Sequence, residues 1–98
     1  MHRLIVRPLA ERDLAEAQRW YEQQQAGLGA EFRSAIESSL RALAANPRAY
    51  PVVYRGLRRK VLRRFPYLIY YSIQVDAVFV VACWHSKREP FLFDTRLP

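Results

Sequence analysis

The residues best equipped for chemistry in this chain are basic. Arg55, Arg58, Arg59, Lys60, Arg63 and Arg64 form a run with no acid inside it, and Lys87 and Arg88 follow near the C-terminus. A guanidinium is a planar fork that matches phosphates and carboxylates better than a point charge does. The run therefore fits three uses. It could be a solvated strand face. It could hold phosphates through residues such as Arg59 and Lys60, with Tyr70, Tyr71 and Trp84 stacking on bases. It could equally grip an acidic protein segment through bidentate pairs.

Two other side chains invite a chemical reading. His85, three residues before Arg88, could act as an acid–base group; the alternative is a histidine at a strand end that hydrogen-bonds the tail. Cys83 is the single cysteine. Its apolar neighbours favour a buried, unreactive thiol over a nucleophile. No intramolecular disulfide is possible, which fits a reducing, cytoplasmic setting. His2 is the only other histidine and no group of His, Cys, Asp or Glu has ligand spacing, so neither a metal nor a cofactor is expected.

The charge is unevenly distributed. Residues 1–54 carry seven basic and six acidic side chains, whereas residues 55–98 carry nine basic and three acidic. Most of the net charge of +7 thus belongs to the C-terminal half, and fourteen of the sixteen cations are arginines. An anionic partner follows from that asymmetry. The apolar stretch at the start, Leu4-Ile5-Val6, is too short for a signal peptide, and no segment approaches the roughly 20 apolar residues of a membrane span. With 98 residues, 51% of them hydrophobic, the chain is read as one folded domain covering 1–98.

The elements that must position these groups follow from periodicity. Leu4-Ile5-Val6 reads as a short strand closed by Pro8. Ala10, Leu14, Ala17 and Tyr21 share one face of a helix starting near Leu9, broken at Gly27-Leu28-Gly29. Trp20 beside them is expected in the core; exposed, it would be a partner contact. A second helix from about Ala30 to Ala45 buries Phe32, Ala35, Ile36, Leu40, Leu43 and Ala44, and Asn46-Pro47 ends it. Val52-Val53-Tyr54 begins a strand and Leu57 to Phe65 gives another. Tyr67 to Val75 and Val78 to Trp84 are two more, joined by a tight turn at Asp76-Ala77; the last is apolar on both faces, as a central strand would be. The tail has Phe91, Leu92 and Phe93 to dock it back. Condensed, the order is β-α-α-β-β-β: an α+β domain whose N-terminal strand and helical hairpin precede antiparallel strands of one twisted sheet.

The segments Arg7-Pro8-Leu9-Ala10-Glu11-Arg12-Asp13-Leu14, Asn46-Pro47, Arg64-Phe65-Pro66-Tyr67-Leu68-Ile69-Tyr70-Tyr71, Trp84-His85-Ser86-Lys87-Arg88-Glu89-Pro90 and Asp94-Thr95-Arg96 occur in this order at this length. With them the chain resembles the RelE/ParE family of bacterial toxins over nearly its whole length. The resemblance implies the same fold, a cognate antitoxin, and toxicity when that antitoxin is lost. It leaves the target open, because RelE-like members cleave messenger RNA on the ribosome whereas ParE-like members inhibit DNA gyrase.

RNA cleavage needs groups that activate a 2′-hydroxyl, stabilise the phosphorane and protonate the leaving oxygen. In the RelE-like branch an Arg directly follows the Tyr that opens the penultimate strand, and a Tyr lies near the C-terminus. Here Tyr67 is followed by Leu68, and Phe91, Phe93 and Asp94 stand where that Tyr is wanted. The Phe-Pro-Tyr and His-x-x-Arg patterns resemble the ParE-like branch. A gyrase inhibitor is therefore the first expectation, acting on gyrase or its DNA complex. Target or antitoxin contacts are expected among Arg58, Arg59, Lys60, Arg63, Arg64, Lys87, Arg88 and Trp20. The alternative is a ribosome-dependent messenger-RNA endonuclease using Arg59, Arg64, His85 and Arg88.

Overall fold

Pro8 occupies the first position of a helix, where its missing N–H leaves no bond unmade. There the chain turns from strand β1 (Arg3–Val6) into helix α1 (Pro8–Gln24). The computed structural model describes residues 2–97; Met1 and Pro98, part of the expected 1–98 domain, lie outside the described residues. The predicted stripe of α1 holds in full, with Ala10, Leu14, Ala17 and Tyr21 all buried.

Helix α2 (Leu28–Ala45) begins earlier than the Gly-rich stretch suggests. Glu22 explains the difference. Its carboxylate accepts the backbone N–H of Gly27 at 3.0 Å and of Gly29 at 3.0 Å, satisfying donors that a helix start leaves open. Gly29 is inside the helix because α2 presses on α1 there: a Cβ at Gly29 would lie 2.8 Å from the Gln18 carbonyl oxygen.

Strands β2 (Val52–Tyr54), β3 (Leu57–Val61), β4 (Tyr67–Gln74) and β5 (Ala77–His85) complete a sheet of order β1-β5-β4-β3-β2. The expected α+β architecture and single sheet are present; the separate strands expected at Val52–Tyr54 and from Leu57 both form, so four strands, not the three of the condensed order, follow the helices. The turn Arg55-Gly56 has positive φ at both residues (48° and 79°), as a two-residue hairpin requires, so β2 and β3 are separate strands. Strand β1 joins the otherwise antiparallel sheet in parallel, beside β5. The β4–β5 turn sits at Val75-Asp76, not Asp76-Ala77, since Gln74 pairs with Ala77.

Both faces of β4 and β5 are covered. Ile69, Tyr71, Val78, Val80 and Cys83 meet the helical hairpin. On the other face Leu57, Leu68, Tyr70, Val81, Ala82 and Trp84 surround Phe93, carried by a 3-10 helix (Pro90–Arg96). Of the three tail residues expected to dock, only Phe93 does; Phe91 and Leu92 are exposed. Two residues of β5, Val81 and Ala82, face this side in succession, where the pairing with β4 shifts between Tyr70 and Tyr71. That bulge falls where β1 ends, beyond which β5 has a strand neighbour only on its β4 side.

Candidate functional site

Strand β3 stops at Val61, not Phe65, and Arg63 and Arg64 stand on the following corner. Leu62 donates its N–H to the Tyr67 carbonyl (3.0 Å) and is buried against the helices, which folds the chain over at that point. Phe65 anchors the corner. Its ring packs edge-on to Tyr21 at 4.9 Å and to Phe32 at 5.2 Å. Pro66 accepts the Ser86 N–H at 2.8 Å, which ties the corner to the end of β5.

Two surfaces flank the corner. On one side Lys60, Arg63 and Arg64 line a groove of about 360 Å³ against Ser38, Ser39 and Ala42 of α2. Arg64 also pairs with Glu31, and Lys60 lies 4.8 Å over the Tyr50 ring. On the other side Trp20, Pro66, Tyr67, His85 and Arg88 form an open cleft. Trp20 is 54% exposed, against the expectation of a core residue. Tyr21 takes the buried position four residues after Ala17, which turns Trp20 outward onto the Tyr21 edge at 5.1 Å.

The remaining expected residues are dispersed. Arg58 folds back to donate to the Tyr50 carbonyl at 2.6 Å and the Arg48 carbonyl at 3.3 Å, closing off the end of the helical hairpin. Arg59 alternates with Arg58 and Lys60 along β3 and shares the open side of the sheet with Leu57; its Nε is buried and unpaired among the described residues. Lys87 is exposed, and its backbone N–H donates to His85 Nδ1 at 3.1 Å. Arg88 lies 3.8 Å over the Trp84 ring, a stacked cation held at the strand end.

The chemistry of the cleft is that of a donor surface. His85 Nδ1 accepts the Lys87 backbone N–H, which leaves Nε2 as the ring nitrogen free to engage a partner. Burial pushes the Tyr67 hydroxyl up to about 12, with Tyr21 and Cys83 adding to the shift, so it stays protonated. The Cys83 thiol is pushed up by burial and by the nearby Asp13 carboxylate, in keeping with the expected inert thiol. Among the described residues, no group of three His, Cys, Asp or Glu could hold a metal ion. No described helix is long and apolar enough to cross a membrane.

One constellation escapes sequence reasoning altogether. Arg96 forms a bidentate pair with Asp13 (2.6 and 2.9 Å) and donates to the Val81 carbonyl at 3.1 Å. Asp13 in turn accepts the Cys83 N–H at 3.1 Å. The pair supplies the acceptor and donor that β1 would have offered β5 had it continued. Tyr54 and Asp94 make a second tie, at 2.6 Å, between β2 and the tail. Asp13 in the first turns of α1 and the Asp94-Thr95-Arg96 ending thus serve as structural clasps.

Residues 4–90 match the family described as ParE toxin of type II toxin-antitoxin system, parDE. The chain belongs to this family. A solved structure described as a chromosomal ParDE TA system from P. aeruginosa is similar in fold, with a TM-score of 0.76 at 18% identity, covering 89% of this chain and 98% of that one. Among curated proteins no significant match is found. As a member of the ParE toxin family, the chain is the toxin component of a toxin–antitoxin pair, and its partner is a cognate antitoxin.

Proposed function

We propose that this toxin acts in the cytoplasm by binding and inhibiting DNA gyrase, alone or on DNA, and that it does so without hydrolysing a substrate. The observation that carries this reading is the state of the groups a nuclease would need. His85 Nδ1 is taken up by the Lys87 N–H, and Arg59 lies on the opposite side of the sheet from the His85–Tyr67 contact. Leu68 is buried against Phe93 and its neighbours, and Phe93 itself fills the core where a tail hydroxyl would be wanted. What remains is a surface of exposed Trp20, stacked Arg88 and the cations Lys60, Arg63 and Arg64 around one corner. Aromatic and arginine side chains of this kind anchor protein interfaces, and the cations suit a target that carries DNA.

The messenger-RNA endonuclease remains the competing reading, with Arg59, Arg64, His85 and Arg88 as its residues. Inducing the toxin without its antitoxin separates the two. Filamentation with DNA damage is expected for gyrase inhibition; prompt translational arrest with intact DNA would overturn it.

A further inference from the structure

The groove between α2 and the corner after β3 carries its charge in a row. Arg58 and Lys60 lie two residues apart on the helix-facing side of β3, about 7 Å along the strand. Arg63 and Arg64 continue the row past the end of β3. In the other direction Arg58 is fixed on the Tyr50 and Arg48 carbonyls, which brings in the exposed Arg48.

The rest of the lining favours an anion. Ser38 and Ser39 of α2 add hydroxyl groups on the facing wall, and no acidic residue lines the groove. Of its three cations only Arg64 is paired, with Glu31 beside the groove. Lys60 and Arg63 have no acidic partner within ion-pair distance among the described residues.

Which anion follows from the shape of the charge and from what is missing. A lone phosphate or carboxylate needs one or two cations, whereas a row of them suits a polymer that repeats its charge, as duplex DNA does about every 1.7 Å of its axis. No aromatic ring lines the groove: Lys60 covers Tyr50, and Phe65 packs on Tyr21 and Phe32. Single strands gain affinity by stacking bases on such rings, and protein partners anchor on them. A duplex keeps its bases stacked inside, so its backbone needs only cations and polar donors.

We propose that this groove holds the phosphate backbone of duplex DNA without regard to sequence, with Lys60 and Arg63 each contacting a phosphate. That the duplex is DNA rests on the gyrase reading; the preference for a duplex backbone over bases or peptide does not.

The probe is a fluorescein-labelled DNA duplex of about twenty base pairs, in two unrelated sequences, titrated with toxin over a series of salt concentrations and read by fluorescence anisotropy. Both sequences should bind alike, and more weakly as salt rises. Lys60→Gln and Arg63→Gln should each flatten the slope of log K against log salt by about 0.9, one phosphate contact apiece. Arg63 is exposed, so Arg63→Gln should also melt with the parent. Arg19→Gln, which removes an exposed charge on α1, should leave the slope unchanged; an equal loss there would reduce the effect to bulk charge and overturn the site. Tighter binding of oligothymidine, of duplex RNA or of a polyglutamate peptide than of the DNA duplex would overturn the assigned occupant. Inhibition of supercoiling by a toxin that binds no duplex would overturn the groove and leave the gyrase reading standing. Duplex binding lost in the two groove variants, with supercoiling untouched by the parent toxin, would do the reverse.

Discussion

Removing Asp13 tests how the fold closes its own exposed edge. Asp13 and Arg96 are joined by two short hydrogen bonds, and their side chains are 11% and 14% exposed. Asp13→Ala strands a mostly buried guanidinium and leaves the Cys83 N–H without an acceptor. Breaking a buried pair from one side costs about 3–5 kcal/mol, and the residual exposure here argues for the low end, about 3 kcal/mol. In a domain of this size that lowers the melting temperature by roughly 12–24 °C. Arg96→Ala frees the Val81 carbonyl but leaves Asp13 its bond to Cys83, so about 2 kcal/mol is expected. The double variant should lose clearly less than the two single losses combined, with a coupling of about 2 kcal/mol. Urea unfolding followed by tryptophan fluorescence is the natural assay, because Arg96 also lies 5.1 Å from the Trp84 ring. A loss below about 1 kcal/mol for Asp13→Ala, or additive single losses, would refute the reasoning.

Val75 is β-branched, 98% exposed and held at φ 54°, so Val75→Asn should stabilise the protein by about 1 kcal/mol in the same urea titration. A destabilising result would mean that the β4–β5 turn is not strained. Tyr71 donates to the Pro47 carbonyl at 2.6 Å, and Tyr71→Phe should cost about 1–2 kcal/mol at neutral pH. Burial raises the Tyr67 and Tyr71 hydroxyls from 10.0 to about 12. Because the folded state holds these protons more tightly, stability is intact below pH 10 and declines as pH rises toward about 12. Absorbance titration of tyrosinate should show both ionising only above pH 10 in the native protein; ionisation of both near pH 10 would contradict their burial. Cys83 is 3% exposed with a thiol pushed up by burial, so a thiol reagent should label it only as fast as the chain opens. Rapid labelling of native protein would count against that.

Local periodicity carried most of the fold. The stripe Ala10, Leu14, Ala17 and Tyr21 and the double-faced run of β5 are written in residues a few positions apart, and both survive in the structure. What sequence reasoning missed depends on distant partners. Alternation suggests that β3 runs to Phe65, but Leu62 bonds back to Tyr67 and ends it, which moves Arg63 and Arg64 from a strand to a corner. Trp20 looks like core until Tyr21 is seen to fill the buried position. Asp13 and Arg96 are 83 residues apart, and no spacing rule links them. The basic run was legible as a source of charge but not as a single surface: Arg58 turns inward, Arg59 faces the open side of the sheet, and Lys60, Arg63 and Arg64 face α2.

The central claim is that the cationic corner binds gyrase and cleaves nothing. One preparation of the toxin should be titrated into a gyrase supercoiling reaction and, in parallel, into a translating extract with end-labelled message. The account predicts progressive loss of supercoiling, weakened by Trp20→Ala and by Arg88→Gln, with the message left whole. Full supercoiling at saturating toxin, together with cut message, would contradict it.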